Sequence, residues 1–110
     1  MSALTGFQRK YLRGLAHGAR AAVQVGVRGL EPTVLHTIDQ ALEARELVKV
    51  QLAGERDQRR DLAARISAEL SVELVGTIGH MAVYYRPHAS PGRRSIRLPR
   101  SRAEVPVEEA

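Results

Sequence analysis

The chain has no cysteine, no tryptophan, and only one Phe and three Tyr in 110 residues. Without thiols, disulfides, thiolate catalysis and cysteine-based zinc sites are excluded. No apolar run approaches the roughly 18–20 residues of a membrane span. The N-terminus also lacks the apolar core of a secretory signal. These absences predict a cytoplasmic protein with no membrane partner. The four histidines, His17, His36, His80 and His88, include no pair at i,i+4 in one helix, and there is no HExxH pattern. GxSxG, a Walker loop and a long Gly-rich dinucleotide fingerprint are missing as well. The expectation is therefore no metal, no cofactor, no small-molecule substrate and no enzyme.

Acid is missing only locally. Residues 1–29 hold five bases and no acid, and residues 86–102 hold six arginines and no acid. The stretch between them, residues 30–85, has a net charge of −3, as do the last eight residues, and the whole chain is +5. Fifteen of the seventeen bases are arginine, the residue that best forks onto phosphate. Positive charge gathered at both ends of the chain points to a polyanionic partner. A chain of 110 residues with 44% hydrophobic content predicts one folded domain.

Leu4, Phe7, Tyr11 and Leu15 recur at helical spacing and predict an amphipathic helix capped by Thr5 or Ser2, with Phe7 and Tyr11 in the core. Arg9, Lys10 and Arg13 lie off that stripe, as a solvated face or as a nucleic-acid contact. Ala21, Val23 and Val25 alternate as a short strand. Pro32 then opens a second helix to about Arg45, with Val34, Ile38, Ala41 and Leu42 inward. Leu47–Leu52 alternates as a second strand, completing a βαβ unit. A third helix over 55–70 has Leu62, Ile66 and Leu70 as core contacts and Glu55–Arg59 and Asp61–Arg65 as i,i+4 pairs. Strands near 72–78 and 81–86 follow, joined at Gly79-His80 as a hairpin. The predicted fold is two-layer α/β, in the order α-β-α-β-α-β-β with a four-stranded mixed sheet. Residues 1–87 form the domain. Residues 88–110 read as a flexible tail, basic and then acidic.

Gly26-Val27-Arg28-Gly29 stands between a strand and a helix. Glycines three apart permit positive φ and close approach of another backbone. The following helix offers its N-terminal amides to a phosphate, and Arg28 adds a charged fork. A second GxxG, Gly76–Gly79, lies in a strand that ends in a hairpin and reads as structural. Tyr84 and Tyr85 point to opposite faces of their strand, leaving at most one for base stacking.

The stretches LTGFQRKYLRGLAH, VQVGVRGLEPTVL, IDQALEARELVKV and IGHMAVYYRP occur in one order over Leu4 to Pro87. In them the chain resembles the YhbY-type RNA-binding proteins, stand-alone bacterial members of the CRM (chloroplast RNA splicing and ribosome maturation) domain family. The resemblance implies a fold similar to the C-terminal domain of bacterial translation initiation factor three. It also implies a KH-like clamp on nucleic-acid backbone at Gly26, Val27, Arg28 and Gly29. The basic surface it implies is Arg9, Lys10, Arg13 and Arg86. Arg20 and the tail arginines, including Arg93 and Arg94, would widen it. His80 stands where lysine or arginine is expected, which makes that contact weaker or pH-sensitive. The implied partner is ribosomal RNA in precursor large subunits, bound by a monomer. The alternative is a protein–protein adaptor on the ribosome that uses the same basic surface.

Overall fold

The computed structural model describes residues 4–26 and 29–99. Helix α1 is Gly6–Ala16, strand β1 is Val23–Val25, helix α2 is Pro32–Arg45 and strand β2 is Leu47–Leu52. Helix α3 is Arg56–Leu70, followed by strands β3, Glu73–Ile78, and β4, Met81–Tyr85. The order is the one expected, and the strands form one mixed sheet, β1-β2-β4-β3. β1 pairs parallel with β2, while β4 is antiparallel to both β2 and β3.

Local chemistry sets the boundaries. Thr5 caps α1 through a reciprocal box with Gln8. Pro32 opens α2, where its missing N–H costs nothing. α2 ends at Glu46, whose φ of 66° turns the chain straight into β2. Glycine would hold that conformation with less strain. Glu46 is there for its carboxylate, which is needed below.

The alternation of β2 sends Val48, Val50 and Leu52 to one face, where Val25, Ala82 and Tyr84 join Ile38 and Leu42 of α2 and Ala63 and Ile66 of α3. Each large apolar side chain buried here contributes roughly 2 kcal/mol. The two-layer expectation needs a correction, because the opposite face is also covered. Leu12 and Ala16 of α1 pack there on Val75, Val83 and Tyr85, together with Ile96 and Leu98. β4 is thus buried on both sides, which explains its unbroken run of apolar residues.

The buried face of α1 is also rotated from the predicted one. Leu12 and Ala16 are inside, Phe7 and Tyr11 are only half-buried, and Leu15 is 45% exposed. The apolar stripe of the sequence was real, but the sheet chose the residues one position along. The predicted pairs on α3 are replaced as well. Gln58 accepts the N–H of Glu55 at 2.8 Å, and Arg59 donates to the Gly54 carbonyl at 2.7 Å. Asp61 and Arg65 form no ion pair with each other among the described residues.

The second GxxG is used by the fold. Gly79, with φ +57°, makes the β3–β4 hairpin turn. Gly76 sits beside an irregularity in the pairing of β3, where an added Cβ would come within 3.1 Å of the Arg13 side chain. Glycine there lets Arg13 lie across the strand.

The tail does not leave the domain at residue 88. The Glu46 carboxylate, on a residue 2% exposed, accepts the N–H groups of His88, Ser95 and Ile96 at 2.6–2.9 Å and the Ser95 hydroxyl at 2.8 Å. A 3₁₀ turn at Pro91–Arg93 lies between these anchor points. Gln8 donates to the Pro99 carbonyl at 3.0 Å. Residues 88–99 are therefore a strap on the domain. Residues 100–110, the rest of the predicted tail, lie outside the described residues.

Candidate nucleic-acid interface

The glycine turn begins where β1 stops, at the carboxyl end of two parallel strands. Open α/β sheets commonly bind ligands in this position. The Gly29 N–H donates to the Gly26 carbonyl at 3.0 Å, and Gly29 has φ +82°. That conformation demands glycine. Gly26 differs: its φ is ordinary and a Cβ added there meets nothing within 4 Å. A side chain would therefore fit at 26 in the free protein, as it would at Gly14 and Gly18. Val27 and Arg28 lie outside the described residues. At the start of α2 the N-cap is Glu31, which makes no side-chain cap. Pro32 has no N–H and the Val34 N–H donates to the Glu31 carbonyl at 3.0 Å, so the Thr33 N–H is the first-turn amide left to an anion.

A cleft of about 250 Å³ lies beside the turn, between it and the face of α3 carrying Gln58, Asp61 and Arg65. Ala53 donates to the Val25 carbonyl at 3.0 Å and so ties the loop after β2 to the end of β1. Across the same end of the sheet sits His80, which is exposed. Its carbonyl accepts from the Leu52 N–H at 2.7 Å, and its Nδ1 is 3.3 Å from the Leu52 carbonyl.

α1 runs beside β3 in the same direction. Arg9 donates to the Leu74 carbonyl at 2.6 Å and meets Glu73 at 3.2 Å, while Arg13, one turn on, overlies Gly76. Arg9 is therefore tied to the sheet edge, whereas Lys10 and Arg20 are exposed. Sequence reasoning missed a polar patch in this region. Gln24 donates to Gln51 across the β1–β2 pair at 3.0 Å, and Lys49 shares their face of β2. The signal was present, since the alternation that buries Val48 and Val50 turns Lys49 and Gln51 the other way.

The remaining predicted bases are elsewhere. Arg86 follows β4 at the opposite end of β2, about seven residue steps or 23 Å from the turn. It donates to Asp39 Oδ1 at 2.7 Å and to the Asp39 carbonyl at 3.1 Å, and lies 3.6 Å from Glu43. Arg94 donates to the His88 carbonyl at 2.8 Å, and Arg93 is exposed on the same strap. Neither tyrosine is available for stacking. Tyr84 is fully buried, its hydroxyl donating to the Ala63 carbonyl at 2.7 Å, and Tyr85 is 6% exposed. Desolvation pushes both phenols above their usual range, and near Tyr85 the Glu46 charge adds to the rise.

The described residues contain no group of three or more His, Asp or Glu able to hold a metal ion. No described helix is long and apolar enough to cross a membrane.

Sheet order, strand-end glycine turn and basic margin define a class: small α/β domains with a glycine turn between a parallel strand and a helix. The chain belongs to the CRS1 / YhbY (CRM) domain family, whose model matches residues 4–86. It is 39% identical over 101 residues to an RNA-binding protein of Haemophilus influenzae, covering 91% of this chain and 99% of that one. It is 37% identical over 97 residues to the probable RNA-binding protein YqeI of Bacillus subtilis, with 87% and 99% covered. Among solved structures it is similar to the Staphylococcus aureus protein SAV1595 in solution, at a TM-score of 0.75 and 39% identity. That match covers 87% of this chain and 99% of the other.

Proposed function

We propose that this chain is a non-catalytic RNA-binding protein that holds the sugar–phosphate backbone of ribosomal RNA during assembly of the large ribosomal subunit. It acts as a monomer in the cytoplasm. The observation that carries the reading is the glycine turn closed by the Gly29 N–H on the Gly26 carbonyl, with Gly29 at φ +82°, set between the end of a parallel strand and a helix with no side-chain cap. The names of the relatives support RNA as the partner, and the family resemblance supports the ribosomal role. Backbone enters over Gly26 and Gly29, and Arg28 and the Thr33 N–H at the start of α2 meet phosphate. His80 extends the contact at that end of the sheet, Arg13 and Lys49 continue it along the strands, and Lys10 and Arg20, exposed on α1 and the loop after it, widen it. Arg9 and Arg86 contribute by holding the scaffold. Arg93 and Arg94 form a separate contact on the strap. With both strand tyrosines buried, readout is of backbone and shape more than of bases.

The test is binding to ribosomal RNA fragments across a salt series, with Gly26→Leu, Arg28→Ala and Gly29→Asp beside the wild type. Gly26→Leu is the sharpest variant, because a side chain there strains nothing in the free protein. It is expected to lose about tenfold in affinity while keeping its circular dichroism and melting temperature. Arg28→Ala should flatten the log–log salt slope by about 1. Unchanged affinity in both variants, or a flat salt response in the wild type, defeats the proposal.

A further inference from the structure

The cleft behind the glycine turn has a lining unlike that of a phosphate site. Gln58, Asp61, Leu62 and Arg65 fall at spacings that put them on one face of α3, opposite Gly26 and Gly29. A carboxylate, an amide, a guanidinium and an apolar side chain thus line one cleft. Gln58 is held in place, because its Oε1 accepts the Glu55 N–H. An added Cβ at Gly54, which has φ +100°, would approach that oxygen to 2.6 Å. Its amide group is left as a donor. Asp61 and Arg65 are one turn apart, yet neither has a hydrogen bond or ion pair among the described residues. Each is available to a ligand. The Asp61 carboxylate repels phosphate and offers acceptors. What it can take beside a phosphate-binding turn is a hydroxyl, as acidic residues do with ribose next to other glycine turns.

We propose that this cleft seats the ribose of the nucleotide whose phosphate lies on the Gly26–Gly29 turn, with Asp61 accepting from its 2′-hydroxyl, so that the protein prefers RNA to backbones lacking that group. The inference rests on the function proposed above. Arg65, at the far side, meets the next phosphate, and Leu62 packs against the sugar. The 2′-hydroxyl is the group by which a protein distinguishes RNA from DNA at one site.

The experiment compares a bound ribosomal RNA fragment with the same fragment made from 2′-fluoro nucleotides, which removes the donor. Both are titrated against wild type, Asp61→Ala and Asp61→Asn. The wild type should favour the 2′-hydroxyl form by about fivefold to tenfold. Asp61→Ala should abolish that preference, and Asp61→Asn, which keeps an acceptor, should retain part of it. Equal wild-type affinity for the two fragments, or an Asp61→Ala effect equal on both, overturns the ribose assignment and leaves RNA binding standing. No wild-type binding to either fragment overturns the function reading and this inference together.

Discussion

The two ends of the central sheet carry basic residues of the same kinds and use them in opposite ways. At the carboxyl ends of β1 and β2, Gly26 and His80 are exposed, the polar patch of Gln24, Lys49 and Gln51 lies on the sheet face behind them, and Asp61 in the adjoining cleft pairs with no base among the described residues. At the other end Arg86 is held by Asp39 and Glu43, and the Glu46 carboxylate gathers four donors from the strap. One end keeps its polar groups in water; the other is closed on itself. Net charge counts both alike, and what separates them is whether an acid from a distant part of the chain lies across from the base.

Glu46 gives the largest expected effect. Glu46→Ala strands three backbone N–H groups and a hydroxyl, and should cost about 3 kcal/mol or more in urea unfolding. RNA affinity of the folded fraction should stay within twofold, since the anchor is remote from the turn. A cost below about 1 kcal/mol would mean that the closed end is not closed by this residue.

The same anchor predicts a pH dependence. Burial by itself raises the Glu46 pKa. The hydrogen bonds from His88, Ile96 and Ser95 outweigh it and bring the value from 4.5 down to about 2. Because the folded value is the lower one, the stabilisation is complete above about pH 4.5 and is lost as pH falls towards 2. Its size is at most about 3 kcal/mol. Acid unfolding of Glu46→Gln should lack this step; a wild type equally stable at pH 4.5 and 2.5 would contradict the assignment.

A direct contrast between a paired base and exposed ones comes next. Arg86→Ala should lower stability by about 1 kcal/mol, as expected for a partly exposed ion pair with added hydrogen bonds, and leave RNA affinity within twofold. Lys10→Ala and Arg20→Ala should do the reverse, with unchanged stability and a salt slope reduced by about 1 each. If Arg86→Ala instead reduces the slope, the two ends share one RNA footprint. The smallest effect is expected of Tyr84→Phe, about 1 kcal/mol from the lost bond to Ala63 and no change in affinity. A measurable loss of binding would return the strand aromatics to the interface.

The element order, the extent of α2 and of the central strand, and the turn between β1 and α2 were legible in the sequence. They depend on short-range patterns: apolar period, Pro32 at a helix start, glycine at a corner. Phe7 and Tyr11 were misplaced because helical spacing defines a stripe to within about one residue, and only contact with the sheet selects the angle. The strap was missed because HASPGRR has no periodicity, and its fixation comes from one carboxylate more than 40 residues earlier. The polar face of Gln24, Lys49 and Gln51 was in the alternation, but it became a surface only when β1 was placed beside β2.

The sequence by itself determined which segments are helices and strands, where the glycine turn falls, that no thiol chemistry is available and that positive charge is in excess. Tertiary structure alone decided which bases are free. It spent Arg9 on Glu73 and a backbone carbonyl and Arg86 on Asp39, and left Lys10 and Arg20 in water. The reason is the range of the forces. Secondary structure and turns follow from neighbours within a few residues, whereas the pairing of a charge depends on what folding brings within about 4 Å of it, regardless of distance along the chain.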